Sequence, residues 1–244
     1  MIDNKISIIT STYQAEKHIS KLIKSLIYNE KHIHEWIIID NISTDLTIPI
    51  IKKNKFKFKI NIIKKRTSIY EAFNEGIKSL TSDFYMIFGA DDSLLNDGIK
   101  NFFNITSLKS DISLYILPTF INGKVVNKKS KKKSILGASH LINSHSAGLI
   151  INKIVHEQVG LYSTEYDFAS DSDFIIKIFK RNMNIERVSI PVGCFGVSGS
   201  SNKNINLKKI LIENYLIMIR NNFSIFNQSI ILILRFVKNF LRFL

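Results

Sequence analysis

The sequence predicts an α/β fold: a mixed, mostly parallel sheet flanked by helices, followed by an amphipathic helical tail. Three observations lead there. Short apolar runs alternate with amphipathic stretches through residues 6–88, in the order β-α-β-α-β-α-β. Two of those runs stop at carboxylates: Trp36-Ile-Ile-Ile-Asp40, and Phe84 to Phe88 just before Asp91-Asp92. From Asn206 onward the chain becomes rich in Ile, Leu and Phe, with no acidic residue after Glu213.

Each element has its own signal. Ile6 to Thr10 is the first strand, and Ser11 to Gln14 the loop after it. A helix is expected from Glu16 to Tyr28, since Ile19, Leu22, Ile23, Leu26 and Ile27 recur at helical spacing. Trp36 to Asp40 is the second strand. Leu46 to Lys53 is a short helix, with Ser43 or Thr44 as its N-cap. Lys57 to Ile63 is the third strand. Ile69 to Leu80 is an amphipathic helix with Ala72, Phe73 and Ile77 facing inward, where Gly76 permits close packing. Phe84 to Phe88 reads as a buried strand, and Asp97 to Phe103 as a helix.

The second half is more β-like. Ile112 to Leu117 and Thr119 to Val126 read as strands, with Asn122-Gly123 as a turn signal. Lys128 to Lys133 holds five lysines in six positions and reads as an exposed loop. His145 to Ile151 is a loop entering a strand, and Asn152 to Gln158 a short helix. The helix after Phe168 runs to Arg181. Ile185 to Ile190 and Val192 to Phe195 close the fold around Pro191, and Gly196 to Ser201 is a loop.

Composition narrows the class. The chain has 244 residues, 45% of them hydrophobic, enough for a sizeable core. Its single cysteine, Cys194, forms no intramolecular disulfide and suggests a reducing compartment. The first residues show no apolar run of signal-peptide length, which argues against export. A net charge of +14 implies an anionic partner. The lysines are not interleaved with aromatics and no nucleic-acid module is present, so nucleic acid is not the expected partner. In the tail, Arg235, Lys238 and Arg242 share one helical face beside an uncharged run too short to span a bilayer. An interfacial helix on an anionic membrane surface is the expectation, and packing on the domain or on a second copy the alternative.

A parallel sheet brings Ser11, Asp40 and Asp91-Asp92 to one edge, although they are distant in sequence. Two adjacent carboxylates repel each other unless a cation lies between them, and a divalent metal carrying a diphosphate is such a cation. A solvated turn is the plainer account of an isolated Asp-Asp. A nucleotidyltransferase shares the sheet-and-metal logic, but Ser11-Thr-Tyr-Gln14 lacks the glycine-rich phosphate loop it would need.

Six segments taken jointly carry a resemblance. They are Ser7-Ile-Ile-Thr-Ser-Thr-Tyr-Gln14, Ile37 to Thr47, Ser68 to Ile77, Phe88-Gly-Ala-Asp-Asp92, His145-Ser-Ala, and Tyr166 to Phe174. Over residues 5–198 the chain resembles the family-two glycosyltransferases of GT-A fold, in their bacterial surface-polysaccharide branch. The resemblance implies a GT-A catalytic domain over residues 1–200 and a basic, hydrophobic helical tail over 201–244. It implies an inverting, metal-dependent glycosyltransferase. The sugar would pass from a nucleotide sugar, expected to be a UDP-sugar, to a lipid-linked or polysaccharide acceptor at the inner face of the cytoplasmic membrane.

The resemblance also assigns residues. Ser11, Tyr13 and Asp40 would hold the nucleoside, Asp40 by accepting from uracil N3–H and Tyr13 by stacking; capping the next helix is Asp40's alternative role. Asp92 would bind Mg²⁺ or Mn²⁺ directly, with Asp91 beside the ribose or a metal-bound water. Asp171 would be the catalytic base, with Asp173 as its substitute or as a capping group. Asn74 would orient the metal loop or bond to backbone. His145 would lie on the acceptor side. Tyr70 is expected in the core or at the rim. Arg66 and Ser68 replace an acid and a glycine usual in the branch, and Arg66 would pair with the donor diphosphate or lie on the surface. Asn41-Ile42 is a further departure, which leaves the donor open. Oligomeric state is open too, a homo-oligomer included. The alternative function is a catalytically degenerate member that binds membrane or a partner.

Overall fold

A computed structural model describes residues 4–126, 145–196 and 206–239. In chain order its strands are β1 (Ile6–Thr12), β2 (Ile33–Asp40), β3 (Lys59–Lys64), β4 (Phe84–Ile87), β5 (Ser93–Leu94), β6 (Leu114–Ile116), β7 (Thr119–Ile121), β8 (Lys124–Val126), β9 (Leu149–Asn152), β10 (Ile185–Arg187) and β11 (Gly193–Cys194). Its helices are α1 (Ile19–Tyr28), α2 (Thr47–Lys53), α3 (Ile69–Lys78), α4 (Gly98–Ile105), α5 (Val155–Val159), α6 (Ser170–Lys180), α7 (Leu207–Arg220) and α8 (Ile225–Lys238).

The main sheet has seven strands in the order β10-β6-β9-β4-β1-β2-β3. Pairing is parallel except at β9, which runs antiparallel to both β4 and β6. Both faces of the sheet are covered. Ile8, Trp36, Ile38 and Met86 pack toward α1, α2 and α4, while Ile9, Ile37, Ile39 and Tyr85 pack toward α3, α5 and α6. Burial on both faces explains why these strands read as continuous apolar runs instead of alternating ones. Each such side chain contributes about 1.5–3 kcal/mol on full burial. The buried Trp36 indole N–H donates to Thr10 Oγ1 at 2.9 Å. Gly76 lets α3 approach the sheet: a Cβ there would lie 2.5 Å from Ile9 Cγ2.

A second, four-stranded sheet has the order β5-β11-β7-β8. Its β7–β8 hairpin turns at Asn122 and Gly123, both with positive φ (47° and 76°), as a type I′ turn requires. This sheet brings Gly193–Cys194 beside Ser93–Leu94, directly after the Asp91-Asp92 turn. Several helix starts differ from expectation; α5, expected from Asn152, begins at Val155 because Asn152 still belongs to β9. α1 begins at Ile19, because the Ala15 carbonyl closes a turn on His18 and Ile19. α2 begins at Thr47, and its first turn is held by Asp45 Oδ1, which accepts from Thr47 N at 3.0 Å, instead of by Ser43 or Thr44.

The tail helices belong to the folded body. Ile217 and Met218 of α7 pack with Tyr166, Ala169 and Ile176 around α6. The Tyr215 hydroxyl of α7 lies 3.3 Å from Ser229 Oγ of α8. α8 leaves an apolar face open, with Phe226 73% and Val237 69% exposed. Among the described residues, no helix is long and apolar enough to cross a membrane. The lysine run, Arg242 and residues 197–201 lie outside the described residues.

Candidate active site

The parallel register sets the nucleoside end. Thr12 pairs with Asp40, and Asp40 with Lys64, so three strands finish level. The loops that follow are tied together by Gln14, whose backbone takes a left-handed φ of 49°. Its Oε1 accepts from Thr44 N and Asp45 N, its backbone N–H donates to Ser43 Oγ, and its Nε2 donates to Thr44 Oγ1. Glu16 adds a further tie, accepting from Leu46 N at 3.0 Å. Tyr13 stands out from this rigid double loop, 60% exposed, its ring available for stacking. Ser11 is half-buried beside it and Arg66 is exposed after β3.

Asp40 is fully buried, and both its oxygens are engaged by Ser43: Oδ1 by the hydroxyl at 2.6 Å and Oδ2 by the backbone N–H at 2.9 Å. It closes the turn that shapes the second loop. Each oxygen retains a second lone pair, so these bonds do not by themselves exclude a further bond from a bound base.

The paired acids form the next part of the edge. Asp92 is 2% exposed; its Oδ2 accepts from Gly89 N and its Oδ1 from Gly196 N, each at 2.7 Å. Burial pushes its carboxyl up to about 7, against those two donors, and the Asp91 charge adds to the rise. Asp91 is the more open of the two. A Cβ at Gly89 would lie 3.1 Å from Asp91 Oδ1 and 3.4 Å from Asp92 Oδ2, so both carboxylates converge closely on the Gly89 backbone. Among the described residues no group of three or more Asp, Glu, His or Cys side chains is placed to hold a metal. Two converging carboxylates, one of them held near neutrality by burial and a like charge, suit a divalent cation whose remaining ligands are water and phosphate oxygens.

Asp171 lies in the first turn of α6. It is open to solvent, yet surrounded closely enough by protein that desolvation raises its carboxyl. Its Oδ1 accepts from Ser172 N at 2.8 Å and from the Tyr70 hydroxyl at 3.4 Å. Tyr70, a core or rim residue by sequence, is indeed buried, but its hydroxyl reaches the acid. Ser68 and Glu71 hold it there by a reciprocal capping box at the start of α3.

Two other candidates are engaged elsewhere. Asp173 is buried, pairs with Lys177 at 2.6 Å and accepts from Asn221 Nδ2 at 2.9 Å, tying α6 to the end of α7. Asn74 spends both ends of its amide on the Tyr162 backbone, at 2.8 and 3.0 Å, which fixes α3 to the segment before α6. Of the two roles open to it, bonding to backbone is the one observed. His145 stacks on Phe195 with ring centroids 3.9 Å apart, next to the Gly196 that binds Asp92. Glu213 of α7 was not singled out from sequence, and it organises the segment carrying Asp171. A separate cavity of about 580 Å³, lined in part by Asp83, Phe84, Lys153 and His156, lies at the amino end of β4, away from these acids.

Carboxylates gathered at the carboxyl edge of a mostly parallel sheet stand where open α/β sheets bind nucleotides and similar ligands. The chain belongs to glycosyl transferase family 2, whose profile matches residues 7–160. It is 32% identical over 192 residues to a dolichyl N-acetyl-α-D-glucosaminyl phosphate 3-β-D-2,3-diacetamido-2,3-dideoxy-β-D-glucuronosyltransferase of Methanococcus voltae, covering 70% of this chain and 58% of that protein. It is 24% identical over 196 residues to TarS of Staphylococcus aureus, a poly(ribitol-phosphate) β-N-acetylglucosaminyltransferase, covering 76% of this chain and 34% of that one. The chain thus spans little more than half of the first relative and about a third of the second. Residues 1–349 of TarS, solved with UDP, share the fold at a TM-score of 0.65 and 20% identity, covering 93% of this chain and 69% of that structure. A mannosyltransferase of Pyrobaculum calidifontis, solved with GDP-mannose and Mn²⁺, has the same TM-score at 14% identity, over 93% of this chain and 69% of that one. The fold is therefore the GT-A glycosyltransferase fold.

Proposed function

We propose that the chain is an inverting glycosyltransferase that moves a sugar from a UDP-sugar to a lipid-linked or polysaccharide acceptor in surface-glycan synthesis. The observation that carries it is the separation of two acid functions on one scaffold. Asp91 and Asp92 lie in the turn after β4, while Asp171 lies in the first turn of α6 with its own hydroxyl partner, Tyr70, from the start of α3. The family relatives named for polyribitol phosphate and for a dolichyl phosphate sugar support the acceptor class, and the structures solved with UDP and UDP-GlcNAc support the donor class.

The chemistry follows from the residues. Tyr13 stacks on the base, and the Gln14-locked loops hold the nucleoside without rearranging. Asp91 and Asp92 would hold Mg²⁺ or Mn²⁺, which supplies charge neutralisation for the leaving diphosphate. The resemblance makes Asp92 the direct ligand and Asp91 its support; Asp92 is the buried member of the pair, held by Gly89 N and Gly196 N.

Asp171 accepts the proton from the acceptor hydroxyl as that oxygen bonds to the anomeric carbon. The carbon–oxygen bond to the β-phosphate breaks, and its electron pair leaves with UDP. A single displacement inverts the anomeric centre, consistent with β products from an α-linked donor. A raised Asp171 pKa makes it the better base, provided the pH keeps it ionised. α8, with its apolar face and basic Arg235 and Lys238, would rest on the anionic inner surface of the cytoplasmic membrane.

The deciding experiment is a panel of nucleotide sugars with Mn²⁺, read by thermal stabilisation and release of nucleoside diphosphate. Selective stabilisation and turnover by one UDP-sugar is expected. No binding by any member would favour a degenerate protein.

A further inference from the structure

We propose that Glu213, on α7, is a positioning residue for the base Asp171. This rests on the glycosyltransferase reading above and deepens it.

Glu213 is 5% exposed, and both its oxygens point at one stretch of backbone. Oε1 accepts from Asp167 N at 3.0 Å; Oε2 accepts from Phe168 N at 2.9 Å and Ala169 N at 3.1 Å. These three N–H groups lead into α6, whose N-cap, Ala169, has no side chain able to cap. A helix start leaves backbone donors unpaired and carries partial positive charge, and a carboxylate there satisfies both. The carboxylate arrives from 44–46 residues away, not from the local chain. Asp171 is the second residue after Ala169, so holding 167–169 sets where its carboxylate points.

The same helix grips α6 further along. Asn221 donates to Asp173, and Lys180 Nζ donates to the Asn221 carbonyl at 2.7 Å. Arg220 reaches Glu165 and the Tyr166 hydroxyl, and Lys209 reaches Asp167. The contacts on α7 therefore bracket the base from both sides.

Glu213 also acts through space. Asp171 faces Tyr70 from α3, Tyr162 from the segment before α6, and Glu213 from α7. Desolvation is the main cause of its raised carboxyl, and the Glu213 charge pushes the same way. Neutralising Glu213 should therefore lower the Asp171 pKa, an effect that a scaffold residue without charge coupling would not produce.

The test uses the full chain with UDP-GlcNAc and Mn²⁺, or the UDP-sugar that the panel selects. Its readouts are UDP release against pH, donor affinity, thermal melting and carbon-13 titration of the Asp171 carboxyl. Glu213→Gln keeps the shape, removes the charge and turns one of the two acceptor oxygens into a donor amide. Expected are a cooperative melt, unchanged donor affinity, kcat lower by on the order of 10²-fold, and a lower-pH acid limb and Asp171 midpoint. Glu213→Asp, which keeps the charge, should retain the wild-type midpoint. A folded, donor-binding Glu213→Gln chain with wild-type kcat and midpoint overturns the proposal. Equal midpoints in all three chains overturn the electrostatic coupling even where kcat falls. Absence of UDP release by the wild-type chain counts against the glycosyltransferase reading alone, since the carbon-13 midpoints still decide the link between Glu213 and Asp171.

Discussion

The backbone N–H of Gly196 donates to Asp92 Oδ1 across 104 residues at 2.7 Å, fastening the segment that leaves β11 onto the turn carrying the paired acids. A Cβ at Gly196 would lie 2.4 Å from Asp91 Cγ and 2.5 Å from its carbonyl oxygen. Gly196→Ala must therefore displace Asp91 or lift the segment. Mn²⁺-dependent turnover should fall about tenfold or more, with the main sheet intact by circular dichroism. Wild-type turnover in that variant would show that the segment is not held there during catalysis.

Asp92 gives the metal-free protein a defined pH response. Its folded pKa, about 7, lies above the ordinary carboxylate value, so the native state retains a proton that the unfolded chain has already lost. The contribution to stability is complete below about pH 4 and disappears as pH rises through 7. A cation must displace that proton. Mn²⁺ affinity should rise about tenfold per pH unit below 7 and level off above it. Melting temperatures with and without Mn²⁺ at several pH values measure this. A shift of equal size at acidic and alkaline pH would sink the assignment of the pair as the cation site.

Tyr70→Phe removes a hydroxyl that donates to Asp171 and so lowers its pKa. In the variant the Asp171 carboxyl should rise, moving the acid limb of kcat to higher pH, with kcat down several-fold and donor affinity unchanged. The direction is opposite to that expected for Glu213→Gln. Asp171→Asn is the reference, with about 10²- to 10⁴-fold loss. A Tyr70→Phe profile superimposable on wild type would return Tyr70 to a packing role.

The exposed apolar residues of α8 should bind lipid if the tail rests on a membrane. Sedimentation with phosphatidylglycerol vesicles at low salt should carry the chain down, and phosphatidylcholine vesicles much less. Arg235→Glu with Lys238→Glu should weaken the former. Equal recovery with both lipids, or concentration-dependent dimerisation that buries Phe226, would replace membrane by another occupant.

Much of the catalytic half is legible from local pattern. Asp40 and Asp91-Asp92 are recognised because the strands before them are buried on both faces and end abruptly, and parallel pairing then puts them at one edge. What their carboxylates bond to is a matter of loop conformation. The positive φ of Gln14 and Ile42 and the reach of Ser43 turn Asp40 inward, and no periodicity encodes that. Asp171 and Asp173 look equivalent at a helix start. The partner that separates them, Asn221, comes 48 residues after Asp173. The antiparallel β9 and the second sheet are likewise set by pairing of segments two to four residues long, most of it long-range.

The Glu213 contact also orders events during synthesis. Chains emerge from the amino end at about 5–20 residues per second. The strands leading to Asp40 and the paired acids can pair once β4 is out, and the helix bearing Asp171 follows. The carboxylate that satisfies the backbone of residues 167–169 is translated later still. Both acid functions therefore wait for later chain: the Asp92 turn for Gly196, and the segment leading to Asp171 for Glu213.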